Sequence, residues 1–281
     1  MKPQSFDYFA PETLDGVLDL LGRVGDDAVV IAGGQSLVPM LNLRLARPEL
    51  VIDLRRVTEL ARFEISEQGL RAGAMANALE VEEHPDVHHV PGLHDALCQI
   101  AHPQIRSRTT IGGSVAHADP AAELPALLLA LDGTIVLQSR ARGERTVSAD
   151  DFLTGPMMTA REPDELLSSV SFPSHPGPVA VLEVVKRPGD FAIVGAVVAY
   201  AIADGVISSP RITLFGVAGR PERMTSAEAA LRGAVPGTDS FKTAVELVRD
   251  EIDPRSDSHA SSEYRRQVAA TLVERALLSL S

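Results

Sequence analysis

The sequence predicts an α+β fold in three parts: two small α/β units, then a C-terminal unit in which strands come before helices. Three observations carry the prediction. Short β-branched runs alternate with apolar segments of helical spacing over 1–57. A second series of strand and helix patterns fills 58–173 and runs into "PSHPGP" at 173–178, by composition the best linker in the chain. Over 179–281, three strand patterns precede three helical ones, the order of an α+β domain rather than of alternating β-α units.

Each element has a local reason. In "PETLDGVLDLLGRVG" Leu14, Val17, Leu18 and Leu21 recur at helical spacing, with Glu12 and Asp15 near the start and Gly22 near the end, which predicts a short amphipathic helix. "DAVVIAGG" follows as a buried strand, "LVPMLNLRL" as a turn and helix-like segment, and "ELVIDL" as a second strand. In the second unit "FEISEQ", "LRAGAM", "GTIVLQSRA" and "LLSSVSF" read as strands and "GLHDALCQIA" as a helix. Beyond the linker come strands "VAVLEVVK", "AIVGAVVAYAIAD" and "RITLFGVAG", then helices beginning near Thr225, Ser240 and Ser261.

Composition narrows the function classes. Across 281 residues, 26 Lys and Arg stand against 38 Asp and Glu, and a net charge of -12 opposes nucleic acid and anionic lipid. No apolar run reaches the roughly 20 residues of a membrane helix, and the N-terminal stretch lacks a signal core, so a cytoplasmic chain without a transmembrane segment is expected. Cys98 is the only cysteine. The chain therefore forms no internal disulfide and holds no four-thiolate iron–sulfur cluster; any such cluster belongs to another chain.

The chemistry concentrates in two glycine pairs. "IAGGQSL" lies between a strand and a helical segment, where glycines let backbone N–H groups approach a ligand with no Cβ in the way. "TTIGGSVAHADP" repeats the pattern and adds the Thr110 and Ser114 hydroxyls. Together two such loops suit a pyrophosphate, although each alone also reads as a tight turn. Neither fits G-x-G-x-x-G or a P-loop, and the strings around Ser36 and Ser114 lack the last glycine of a hydrolase elbow. "EVEEHPDVHHV" gathers acids and histidines, but Pro85 breaks the helix that would align His84 with His88, so a solvated loop is expected. Cys98 falls on the apolar side of its helix and reads as a small core residue, while Arg265 and Arg266 read as surface or subunit-contact residues.

With both glycine pairs in place, the sequence resembles the FAD-binding medium subunits of molybdenum hydroxylases, of the carbon monoxide dehydrogenase and xanthine dehydrogenase type. The resemblance spans nearly the whole chain through "AGGQSLVPMLNLRLARPELVIDL", "ALCQIAHPQIRSRTTIGGSVAHADPAAELPALLLALDGTIVL", "KRPGDFAIVG" and "SSEYRRQVAATLVERAL". It implies a PCMH-type FAD-binding domain of two small α/β subdomains, followed by a C-terminal domain of antiparallel sheet plus helices. Ala32, Gly33, Gly34, Gln35, Ser36 and Leu37 match the first FAD loop, and Thr110, Ile111, Gly112, Gly113 and Ser114 the second. Ile100 and Leu167 match apolar positions beside the ring systems. Glu123 stands where xanthine dehydrogenases carry an aspartate near the adenosine end, with Asp119 a competitor for that role. Lys186 matches a basic residue near the flavin, where a cation favours reduced, anionic flavin; a solvated strand-end lysine is the plainer reading.

The resemblance further implies no catalytic residue and no metal ligand on this chain. A large molybdenum–pterin subunit and a small iron–sulfur subunit are the expected partners, in a dimer of heterotrimers, with FAD here passing electrons to NAD, a quinone or oxygen. Two alternatives stay open. A self-sufficient FAD oxidoreductase needs its own acid/base cluster, which the sequence near the loops does not offer; a non-catalytic flavin-binding scaffold is expected to lose loop glycines, and all four are present.

Overall fold

The computed structural model describes residues 2–281. Strand β1 (Asp7–Phe9), helix α1 (Leu14–Val24), β2 (Ala28–Ile31), α2 (Leu37–Asn42) and β3 (Leu50–Asp53) make the first unit. Its three strands form a parallel sheet in the order β1-β3-β2. The Thr13 side chain caps α1 by accepting the Gly16 N–H at 3.2 Å, and Gly25, at φ +62°, ends it one turn later than the sequence suggests. Strand β1 was not legible as a strand because it is three exposed residues paired to β3 alone. Strand β2 is half-buried, not buried as expected: Ala28 and Val30 pack against the core around Leu21 and Ile52, and Ala28, Val29 and Val30 also line a cavity.

The second unit is built on a five-stranded antiparallel sheet, β4 (Phe63–Ser66), β5 (Gly69–Gly73), β6 (Thr134–Ser139), β7 (Gly143–Ser148) and β10 (Glu165–Pro173), in the order β4-β5-β10-β6-β7. A small hairpin of β8 (Leu153–Gly155) and β9 (Met158–Thr159) precedes β10. Between β5 and β6 run α3 (Ala78–Glu82), α4 (Leu93–Gln99), α5 (Pro103–Arg106), α6 (Ile111–His117) and α7 (Glu123–Ala130), and α8 (Ala149–Phe152) follows β7. Helix α7, "ELPALLLA", is buried at every position, so it has no polar face for a periodicity reading to find. On α4 the buried positions are Leu93, Ala96 and Leu97. Cys98, one step beyond that stripe, is exposed beside Glu82 and His94, which corrects the core reading.

The C-terminal unit carries β11 (Val179–Val185), β12 (Ala192–Ala203), β13 (Val206–Phe215) and β14 (Glu222–Arg223) as one antiparallel sheet, then α9 (Thr225–Leu231), α10 (Thr238–Glu251) and α11 (Ser262–Ser279). The strand period of two divides β12 between two cores. Val197 and Ala199 join the cluster of Leu93, Leu97 and Leu127 in the second unit; Val194, Ala196, Val198 and Tyr200 pack under the three C-terminal helices. Arg265 is not a surface residue. It is 6% exposed and donates to the Ile193 and Gly216 carbonyls and to Asp257, pinning α11 to the sheet, whereas Arg266 is half-exposed. Linker residue His175 is likewise buried, bonded to Gly177 and to the Ser209 carbonyl at 2.8 Å. Among the described residues no helix is long and apolar enough to cross a membrane.

Candidate flavin cavity

The two glycine pairs meet in space, and three of the four glycines make room for the chain itself. A Cβ on Gly33 would lie 2.0 Å from the Arg108 carbonyl oxygen, just ahead of the second pair. One on Gly112 would lie 2.5 Å from the Ala74 Cα, and one on Gly113 would lie 2.5 Å from Thr110 Oγ1 and 3.4 Å from the Ala32 Cβ. Gly34 supplies a left-handed turn at φ +75°. The glycines thus press two backbone segments together. Among the described residues, the N–H groups of Gly33, Gly34, Gln35, Ser36 and Gly112 find no acceptor within the chain.

The second pair is not a loop. It forms the first turn of α6, capped by Thr110, whose hydroxyl oxygen accepts the Gly113 N–H at 3.1 Å. Thr110 is held in turn by its bridge to Asn77, whose side chain caps α3 and donates to the Ser107 carbonyl at 2.8 Å.

These segments open on a cavity of about 540 Å³, within the range of small-molecule and cofactor sites. Ala32, Gly33, Gly34, Gln35, Ser36, Leu37, Ile100, Thr110, Gly112, Gly113, Ser114, Asp119, Glu123 and Leu167 all line it. Ile111 and Lys186 do not. The Ile111 side chain is fully buried in the core and its N–H donates to the Ala76 carbonyl. Lys186 is exposed just past β11, and the turn that follows it reaches the cavity instead, through Gly189, Asp190 and Phe191. Gly189, at φ +86°, sits so close under the His102 ring that a Cβ would come within 2.7 Å of it.

Sequence reasoning missed much of the wall. Val29, Val30, Leu54, Ala101, His117 and Arg161 also line the cavity, and only their three-dimensional convergence reveals it. One wall is braced from behind. Arg106, 7% exposed, forms a two-pronged pair with Glu82 at 2.5 and 3.0 Å and donates to the Ile100 and Ala101 carbonyls at 3.0 and 3.3 Å. That brace holds Ala101 in a left-handed conformation, φ +42°, costly for a residue with a Cβ.

The charge pattern is uneven. Arg161 is the one lysine or arginine on the wall among the described residues, and its guanidinium donates to the Glu162 and Glu165 carbonyls at 2.9 Å. Glu165 pairs with Arg145 at 2.7 Å. Glu123 is 7% exposed, and burial, helped by the charges of Glu183 and Asp119, pushes its carboxyl up to about 8. Asp119 accepts the Ala121 N–H at 2.8 Å. Unpaired amides on an otherwise largely apolar wall form a binding site for an anion-bearing planar ligand, and FAD, with a pyrophosphate between two ring systems, fits that donor set.

Comparison with known proteins agrees. The family model described as "FAD binding domain in molybdopterin dehydrogenase" matches residues 4–175, and "CO dehydrogenase flavoprotein C-terminal domain" matches 180–280. The chain is 40% identical to the 6-hydroxypseudooxynicotine dehydrogenase complex subunit alpha of Paenarthrobacter nicotinovorans, over 99% of this chain and 95% of that one. It is 34% identical to the carbon monoxide dehydrogenase medium chain of Hydrogenophaga pseudoflava, over 99% and 97%. The crystal structure of quinoline 2-oxidoreductase from Pseudomonas putida 86 superposes with a TM-score of 0.94 at 38% identity, covering 100% of this chain and 98% of that one. Two glycine-pressed segments around one cavity and full-length similarity to these subunits lead to one assignment: the chain belongs to the family of FAD-binding medium subunits of molybdenum hydroxylases.

Proposed function

We propose that this chain is the electron-transfer subunit of a multisubunit molybdenum-containing dehydrogenase, taking electrons from iron–sulfur clusters on a small partner and delivering them to an external acceptor. Substrate oxidation then belongs to a molybdenum–pterin centre on a large partner, and the assembly is a dimer of heterotrimers. The observation that carries the reading is the cavity between the two glycine segments, with its unpaired amides, in a chain of this family.

The amides of Gly33, Gly34, Gln35, Ser36 and Gly112, with the Thr110 and Ser114 hydroxyls, hold the pyrophosphate. Ile100 and Leu167 pack against the ring systems, and Asp119 and Glu123 serve the adenosine end. Lys186 stands outside this set. FAD, when bound, supplies storage for two electrons and exchange of one at a time. The protein's own work is to orient it and exclude water, with 1–173 as the flavin-binding part (subdomains 1–57 and 58–173) and 179–281 closing one wall through Gly189 and Phe191.

Two measurements test this. Full-length protein stripped of flavin and offered FAD or FMN should retain FAD selectively, and equal retention of FMN would defeat the pyrophosphate assignment. Molybdenum and iron should co-purify with the chain only while its partners do. Turnover of an organic substrate by the isolated FAD-loaded chain at the rate of the native complex would replace the relay with a self-sufficient oxidoreductase.

A further inference from the structure

Glu123 opens α7, a helix buried at every position, and lines the cavity, its carboxyl without a hydrogen-bond or ion-pair partner on any other residue described. The groups facing it are carboxyls. Glu183 on β11 has a buried Oε2 with no partner, and Asp119 in the turn before α7 shares the cavity. The other elements packed on α7 bring no lysine, and their two arginines are paired elsewhere. On α4, Asp95 and Cys98 are exposed and His94 half-exposed; on α8, Asp150 and Asp151 are exposed; β12 carries no ionisable group beyond the buried Tyr200 on its opposite face. On β13, Arg211 is committed to Asp132 at 2.6 Å, past the opposite end of α7; on β14, Arg223 beside Glu222 is committed to Glu228 at 2.6 Å and to Asp132 at 2.9 Å. On α6, His117 lines the same cavity.

An ionised carboxylate here would be desolvated and would face a ligand carrying two negative charges, with Arg161 as the wall's one arginine. A protonated carboxyl removes that charge and gains an O–H to donate to an acceptor on the ligand. We propose that Glu123 is a ligand-positioning carboxylic acid that holds a proton when FAD is seated, so that FAD binding takes up a proton from solvent and alkaline pH favours release. The proposal rests on the FAD reading. The balance is simple: ionised Glu123, one proton and FAD give the complex of FAD with neutral Glu123. Burial and its carboxylate neighbours already push the Glu123 carboxyl up to about 8, and burial pushes that of Glu183 up to about 7.

The test is FAD titration of the full-length, flavin-stripped chain by fluorescence quenching, from about pH 6 to about pH 9, with calorimetry near the upper end in two buffers of different ionisation heat. Kd should be flat at the acid end and rise above about pH 8, approaching about tenfold per unit, with uptake of nearly one proton. Glu123→Gln should bind FAD with no such slope. Glu183→Gln should move the onset to lower pH, because removing a like charge lets Glu123 ionise earlier. A constant wild-type Kd with no proton uptake overturns the proposal while leaving FAD binding intact, as does a Glu123→Gln slope equal to wild type. Failure to bind FAD at every pH instead overturns the parent reading. If Glu123→Gln does not fold, the wild-type proton count decides.

Discussion

At Gly33 a single methyl group has nowhere to go, because its position is held by a backbone carbonyl rather than a movable side chain. Gly33→Ala should cost about 2–3 kcal/mol in thermal or denaturant unfolding and release FAD, since separating the two segments turns their amides away. Gly34→Ala meets only the Ile31 and Val38 side chains at 3.3 Å and pays for a left-handed backbone, so about 1–2 kcal/mol is expected, with weaker loss of FAD. An equal effect of the two would mean that the close approach is not what matters. Glu123 sets a pH window in the flavin-free chain. Its folded value is raised, so the stability it allows is fully present below its ordinary value near 4.5 and is lost as pH climbs through about 8. Urea midpoints of wild type should fall across that window, and those of Glu123→Gln should fall less.

Two helical elements depend on buried arginines. Arg106→Met would strand Glu82, 12% exposed, without its partner and should cost about 3 kcal/mol. Adding Glu82→Gln removes the stranded charge and should restore most of that stability, but not the bonds to the Ile100 and Ala101 carbonyls. FAD affinity should therefore stay lowered in the double variant; full recovery would show that the brace does not shape the cavity wall. At the other end of the chain, Asp257 accepts N–H groups from Ala260, His259 and Arg265, which together hold its carboxyl down to about 2. Its contribution is present above the ordinary carboxylate value near 3.8 and is lost as pH falls toward about 2. Because Asp257 is half-exposed, Asp257→Ala should cost only about 1 kcal/mol at neutral pH, with the difference from wild type shrinking in acid unfolding. The helix "LDGVLDLLGRV" was readable because one face is apolar, whereas α7 has no polar face to contrast with.

The whole molecule is tied through one sheet whose two faces serve two cores. A fragment ending at 178 would lose Val179, Val181, Val197 and Phe215 from the cluster that covers α4 and α7. It should aggregate or bind a hydrophobic dye strongly, and a monomeric, dye-silent fragment would show the first two units to be self-sufficient. Periodicity, turn residues and paired glycines depend on neighbours a few positions away, so the sequence by itself determined most strands and helices, their α+β order and the two glycine segments that line the cavity. The tertiary structure alone decided the rest. It folded the second glycine pair into a helix start, buried Arg265, exposed Cys98, brought the turn after Lys186 to the cavity in place of Lys186, and set Glu123 against Glu183. Each of these depends on which distant segment arrives alongside, and burial and electrostatics follow from that arrival rather than from the residue's own neighbours in the chain.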